Sequence, residues 1–461
     1  MNASSNDPKS QFKYFKSSNP KLNFPRFDVD SPLPKSVEPT ARYRAHLGLR
    51  LLPTLPLLPP LNWQFLSFLV KRLGFQSMSG PTLQSWMPAN LSKLQLDNSS
   101  DDYFVERRLN GFNPGKLNKV DNQEWQYAVH YKTSRYEVKP GGILPEYSEA
   151  RFTLKDQALH AHSIEYRLKE QKVIATPKDG KGWELAKHYF RSTEYVYQEI
   201  QSHLGRTHMN MDQYAMAFYR NVSRSPIYDL LLPHFEGLIS IDKKGASLII
   251  GNTGFIPEAS ALDPLSVEET LIEEISQLTY HWTPKRQSLP DVVNNNYFDR
   301  AALGMWELLE KYVDKYFGDN QTEIKQYWSE IDNMSQDLVQ HSVLKSKYGS
   351  LAISSEEDLK KLCVYVIYHC TFFHSWVNNK QYEDGGEPSY AAIGLWEEGY
   401  DAKKIKSRHD SQVRLMWILA NVHYNPAIQF APTHLKELLW EYRDRLEPGI
   451  PIDWIMMSIN I

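Results

Sequence analysis

The stretch from Trp183 to Arg224 contains no proline and repeats apolar residues at helical spacing. It predicts an unusually long helix, or two in tandem, around which the other elements must be arranged. Near its middle stands His203-Leu-Gly-Arg-Thr-His208. In a regular α-helix, residues five apart lie about 140° apart around the axis and cannot share a ligand. They come onto one side if the helix widens locally into a π-bulge, a device often found at functional sites. Gly205 lies between the two histidines and would ease such a distortion.

A second histidine-bearing segment reads Cys370-Thr-Phe-Phe-His374-Ser-Trp-Val-Asn378. Its spacing of four places His374 and Asn378 about 40° apart, on one face of an ordinary helix. Leu359, Leu362, Cys363, Val366, Ile367 and Cys370 form an apolar stripe leading to that face, so His374 is expected to be buried. A buried imidazole needs a partner, and a metal is one option. Spacing alone leaves a second reading open for both pairs, as core histidines satisfied by neighbours or backbone. His369 also stands five from His374.

Composition narrows the chemistry. The chain has 461 residues, 41% hydrophobic and 13% aromatic, enough for one large domain or two to three smaller ones. With 52 Lys and Arg against 55 Asp and Glu, the net charge is -3; no field of one sign covers the molecule, which disfavours a general nucleic-acid binder. Cys363 and Cys370 are the only cysteines. Seven apart in an apolar stretch, they suit two buried thiols rather than a disulfide framework or a thiolate metal site.

Residues 1–40 are rich in Ser, Asn, Pro and Lys and read as a disordered or extended segment with little to bury; residues 41–461 read as one domain. The start lacks the apolar core of a secretory signal, so the expected location is the cytoplasm. No run of about 18 apolar residues exists to span a membrane. The prolines of Leu51–Pro60 forbid a continuous helix. Leu61–Phe75 predicts either a helix docked on the main domain or a membrane-surface helix, so peripheral membrane contact through residues 51–75 stays open. Gln123–Val173 alternates in stretches that suit short strands or extended loops. Helical patterns recur at Glu268–Tyr280, Asp299–Phe317, Glu323–Glu330, Glu356–Asn378, Ser411–Val422 and Thr433–Arg445, making the fold mainly α.

Several motifs, in order, resemble the lipoxygenase family over residues 101–461. Asp101-Asp-Tyr-Phe104 leads to Leu109-Asn-Gly-Phe-Asn113-Pro114, similar to a family turn ending in G-x-N-P. Trp183-Glu-Leu-Ala-Lys187 looks like the start of its metal-bearing helix, and Pro226-Ile-Tyr-Asp-Leu-Leu-Leu-Pro-His234 resembles a characteristic run downstream. The chain finishes Ser458-Ile-Asn-Ile461, as the family does.

The resemblance implies a large helical catalytic domain built around a long central helix with a π-bulge, plus a few short strands. It implies a minimal, bacterial-type member without the N-terminal β-barrel lipid- and calcium-binding domain. The implied metal set is His203, His208, His374, Asn378 and the α-carboxylate of Ile461, with His369 outside it. Imidazoles with one carboxylate suit non-haem iron as it cycles between +2 and +3; manganese is the alternative. The implied partners are a polyunsaturated fatty acid and O2, joined after hydrogen abstraction from a bis-allylic methylene to give a hydroperoxide. Glu199 and Gln381 fall where the family has a hydrogen-bonded pair linking ligand helices, although Asn379-Lys380 departs from the usual apolar residue and glycine. Leu248 and Ile256 resemble residues that clamp the methylene, and Gly245 resembles a position where glycine accompanies R products. A hydroperoxide isomerase on the same fold, or a lipid-binding protein without metal, is the alternative function. A metallohydrolase is opposed because no H-E-x-x-H is present.

Overall fold

The protein is described from a computed structural model, covering residues 7–18, 23–41, 43–45, 99–251, 254–275, 293–342, 352–421, 433–447, 449–457 and 459. Residues 51–75 lie outside this set, and with them the docked or membrane-surface helix.

A proline-free rod forms the axis of the molecule. It comprises α2 (Lys181–Tyr197), a π-helical segment Gln198–Met209, and α3 (Asn210–Asn221). It is preceded in sequence by α1 (Asp101–Asn110), whose N-terminus is capped by Ser100 accepting from the Tyr103 amide. The second half of the rod is buried on nearly every side, Met211, Tyr214, Ala215, Ala217 and Phe218 being joined by the buried polar residues Asn210, Asp212 and Gln213. A helix of that kind belongs inside a protein rather than on its surface.

Between α1 and α2 the chain builds a five-stranded antiparallel sheet in the order β1-β2-β4-β5-β6. The strands are β1 (Asn118–Lys119), β2 (Tyr127–Lys132), β4 (Tyr147–Lys155), β5 (Ala158–Leu168) and β6 (Gln171–Ala175). Tyr127, Val129 and Tyr131 alternate onto one face of β2 and pack with Phe152 and Ile164 against Trp183, Ala186 and Phe190 of α2, as a period of two requires. Two-residue turns close both long hairpins. Asp156 and Gln157 have φ of 50° and 62°, and Lys169 and Glu170 have 49° and 66°, the left-handed pair that matches strand twist. The short β3 (Gly142–Ile143) pairs instead with β7 (Leu395–Trp396).

Helices surround the other flank of the rod. These are α4 (Ile227–Phe235), α5 (Leu238–Leu248), α6 (Pro264–Ile275), α7 (Tyr297–Gln326) and α8 (Trp328–His341). After them come α9 (Glu356–Ile367), a second π segment Tyr368–Phe373, α10 (His374–Gly385), α11 (Ala402–Asn421) and α12 (Thr433–Glu441). Leu308, Leu309 and Tyr312 of α7 meet Leu359, Leu362 and Cys363 of α9 in the largest core. Cys363 and Cys370 are both free and buried. No helix among the described residues is long and apolar enough to cross a membrane.

The N-terminal segment departs from the expectation that it has little to bury. Phe12 stacks on Tyr219 at 5.0 Å, Phe24, Phe27 and Val37 are buried, and the Tyr14 hydroxyl donates to Asp337 at 3.1 Å. Arg220 donates to the Phe12 carbonyl at 2.6 Å. The segment is a strap. Its few aromatics fill sockets on the folded body, and no periodic pattern is needed for that.

Candidate metal centre

Both histidine-bearing helices are π-helical where the site forms. Widening a helix leaves carbonyls without their usual partners four residues on. In each segment a threonine hydroxyl takes up one of them: Thr207 donates to the His203 carbonyl and Thr371 to the Ile367 carbonyl. Gly205 is required by closeness rather than by backbone angle. A Cβ there would lie 2.9 Å from the Ile200 carbonyl oxygen five residues back, with Leu271 and Ile275 of α6 pressing at 3.8 and 3.7 Å. The bulge in the rod was legible from the histidine spacing. The second one was not, because His374 and Asn378 both lie beyond it on regular helix and keep ordinary spacing.

The two π segments pack on one another and bring three imidazoles together. His203, His208 and His374 are all buried, and their ligand atoms lie within 4.8 Å of one another, a spacing that could hold one metal ion. The ring centroids stand 5.2 Å apart for His203–His208, 5.5 Å for His203–His374 and 5.0 Å for His208–His374.

Carboxylates set the ring orientations. His203 Nδ1 faces Glu199 Oε2 at 3.5 Å, and His208 Nδ1 faces Asp242 Oδ1 at 2.8 Å. A carboxylate acceptor places the proton on Nδ1 and leaves the Nε2 lone pair for another partner. His203 Nε2 is buried and has no hydrogen-bond partner among the described residues. Such a desolvated lone pair is costly unless something binds it. The donor set, imidazole nitrogens without thiolates, therefore fits iron or a similar transition ion.

Asn378 lies one turn beyond His374 on α10, fully buried. Its Oδ1 accepts from Gln381 Nε2 at 3.5 Å, while Gln381 Oε1 accepts from Gln198 Nε2 at 3.1 Å. The link between the ligand helices thus runs through Gln198 and Gln381. This corrects the expected Glu199–Gln381 pair: Glu199 turns to His203 instead, because side chains one helical turn apart face each other. The departure at Asn379-Lys380 is accommodated locally. Asn379 donates to the Ser375 carbonyl at 2.6 Å and Lys380 pairs with Glu383 at 3.3 Å.

His369 stays outside the cluster, its Nδ1 2.9 Å from the Tyr365 carbonyl; burial drops its pKa to about 3, so the ring is neutral. Ile461 lies outside the described residues. The chain just before it rests on α10 beside His374: the Met457 amide donates to Ser375 Oγ at 2.9 Å, and Ile459 is buried.

A cavity of about 30 Å³ adjoins His208, with Leu204, Gly245, Ile249, Ile250 and Leu271 among its walls. Gly245 is thus brought to the centre. Leu248, the last residue of α5, is not: it is 66% exposed. Ile256 is fully buried and packs in one core with Leu204 and Leu271. Arg26, Asp212 and Asp242 line the polar side of the cavity. Burial raises the pKa of both carboxyls; the charge of Asp242 raises Asp212 further, and Arg26 opposes the rise at both. Neither aspartate stood out in the sequence, where the only available signal was an isolated acid in the apolar run Leu238-Ile-Ser-Ile-Asp242.

Fold and site together define a class: helical proteins that gather three imidazoles around a π-bulged central rod. The comparisons with known proteins name it. The lipoxygenase family model matches residues 153–296. The linolenate 9R-lipoxygenase of Nostoc sp. is 36% identical over 369 residues, 78% of this chain and 46% of its own length. The allene oxide synthase-lipoxygenase protein of Plexaura homomalla is 24% identical over 225 residues, 44% of this chain and 20% of its own length. Among solved structures, a 9R-lipoxygenase from Cyanothece superposes with a TM-score of 0.77 over 99% of this chain and 75% of its own, at 23% identity. A coral 8R-lipoxygenase gives 0.76 over 98% and 80%, at 17% identity. The chain belongs to the lipoxygenase family. It spans less than half the length of these two curated relatives.

Proposed function

We propose that this chain is a non-haem iron dioxygenase that converts a polyunsaturated fatty acid and O2 to a fatty-acid hydroperoxide. The observation that carries this reading is the convergence of three buried imidazoles beside an apolar cavity. Bound iron would supply the one-electron chemistry that a weak bis-allylic C–H bond demands. His203, His208 and His374 would hold it, with Asn378 offering a weaker oxygen ligand and Ile461 outside the described residues. Leu204, Ile249, Ile250 and Leu271 would form the apolar wall nearest the metal, against which part of the hydrocarbon chain rests, and keep water from the radical it becomes. Gly245 leaves room on one side of that chain, which supports attack by O2 on one face and an R product. The 9R relative from Nostoc is named for linolenate, which makes α-linolenic acid the first substrate to try.

The test is metal analysis of the purified protein, then oxygen uptake with α-linolenic, linoleic and arachidonic acids. One iron per chain and a chiral hydroperoxide are expected, with both lost in His374→Ala. Manganese in place of iron would redirect the metal assignment alone. Iron-loaded protein that forms no hydroperoxide from any of the three acids would sink the proposal.

A further inference from the structure

We propose that Asp242 is a positioning residue for the metal centre, holding His208 in the tautomer that presents Nε2 and lending negative charge to that ligand. This rests on the metal reading above. Asp242 comes from α5, outside both ligand-bearing helices, and reaches His208 across 34 residues of chain. Its contact of 2.8 Å is within the range of a charge-assisted bond, whereas Glu199 stands 3.5 Å from His203. Asp242 is therefore the stronger of the two carboxylate contacts.

The other oxygen of Asp242 is buried without a hydrogen-bond partner among the described residues; Asp212, one turn beyond His208 on the rod and so on its face, lines the same cavity. His208 Nδ1–H thus donates to Asp242, and Asp212 is buried beside the same carboxylate. Arg26, from the N-terminal strap, closes the same cavity. An imidazole bonded to a carboxylate is a stronger donor to a metal and favours its more highly charged state. Asp242 also lies three residues before Gly245 on α5, so one helix both steadies a ligand and shapes the adjoining pocket.

The experiment compares wild type with Asp242→Asn and Asp242→Ala, by anaerobic titration with Fe(II) alone and Mn(II) alone and by redox titration of the iron-loaded proteins. Far-UV circular dichroism establishes that each variant is folded. Asp242→Ala is expected to weaken metal binding by about 10–100-fold. Asp242→Asn keeps an acceptor oxygen but loses the charge, so it should bind nearly as well with a higher iron midpoint potential and an altered ferric resonance spectrum. A merely structural aspartate would lower the melting temperature without moving that potential. Variants matching wild type in affinity and potential would overturn the assignment while leaving the metal centre standing. A wild type that binds neither ion would overturn both, and if Asp242→Ala does not fold, the potential of Asp242→Asn decides.

Discussion

Gly205 shows how one missing methyl group permits a site. A Cβ at this position would meet the Ile200 carbonyl at 2.9 Å, with Leu271 and Ile275 of α6 in contact at 3.8 and 3.7 Å. Gly205→Ala should destabilise the fold by about 1–3 kcal/mol and reduce bound iron. Urea unfolding and metal analysis of the same sample check this; a fully loaded, equally stable variant would show that the bulge does not depend on glycine. Gly245→Ala is a different case. Its Cβ would stand 3.4 Å from Ile249 Cδ1, tolerable after a small shift, so stability should change by less than about 0.5 kcal/mol. The added methyl enters the cavity beside His208 instead, and chiral chromatography should show a larger share of S hydroperoxide. At this scale the three histidines were legible because spacing and apolar context are local properties. The carboxylates behind them were only half legible. Glu199 lies one turn from His203, but Asp242 reaches His208 from a separate helix.

Two element junctions hold the ligand helices in place. Arg107 on α1 bonds both oxygens of Asp384 on α10, at 2.7 and 2.9 Å, and Glu383 at 2.7 Å. All these side chains are inaccessible to solvent or nearly so. Arg107→Met would leave buried carboxylates without their counter-charge and should cost about 3–5 kcal/mol, read as a lowered thermal midpoint. The second junction is the turn from α3 into α4. There Glu330 accepts the amides of Ser223, Arg224 and Ser225 at 2.9, 3.0 and 3.1 Å. Burial alone would raise its pKa; the three backbone donors and Arg224 outweigh this and bring it to about 2. A depressed carboxylate stabilises the fold above its unfolded value, near 4.3, and that stability fades as pH falls towards about 2. Glu330→Gln should therefore lose roughly 2–3 kcal/mol at neutral pH and show a flatter stability profile between about pH 4.3 and 2. Denaturant titrations at a series of pH values measure this. Of the elements themselves, the long rod was legible from its proline-free periodicity, whereas the second π segment was hidden inside an apolar run that reads as plain helix from Glu356 onward.

For the molecule as a whole, the centre couples metal binding to folding, since His203, His208 and His374 come from two separate helices. Removing the ion should lower stability by about 2.7 kcal/mol relative to protein held at a hundred times its dissociation constant. Calorimetry of chelated and reloaded samples tests this, and identical melting curves would mean that the imidazoles are held together without it. The sequence by itself determined the helical class, the rod and its histidines, the thiol-free donor set and the buried cysteines. Each follows from periodicity or side-chain chemistry within one segment, and such signals survive in a linear string. Only the tertiary structure decided that the N-terminal aromatics dock as a strap, that Gln198 rather than Glu199 meets Gln381, and that Asp242 stands behind His208. Those pairings join residues 183 and 34 positions apart for Gln198–Gln381 and His208–Asp242. Contacts at such separation are chosen by how whole helices pack, a choice among many partners that no local pattern records.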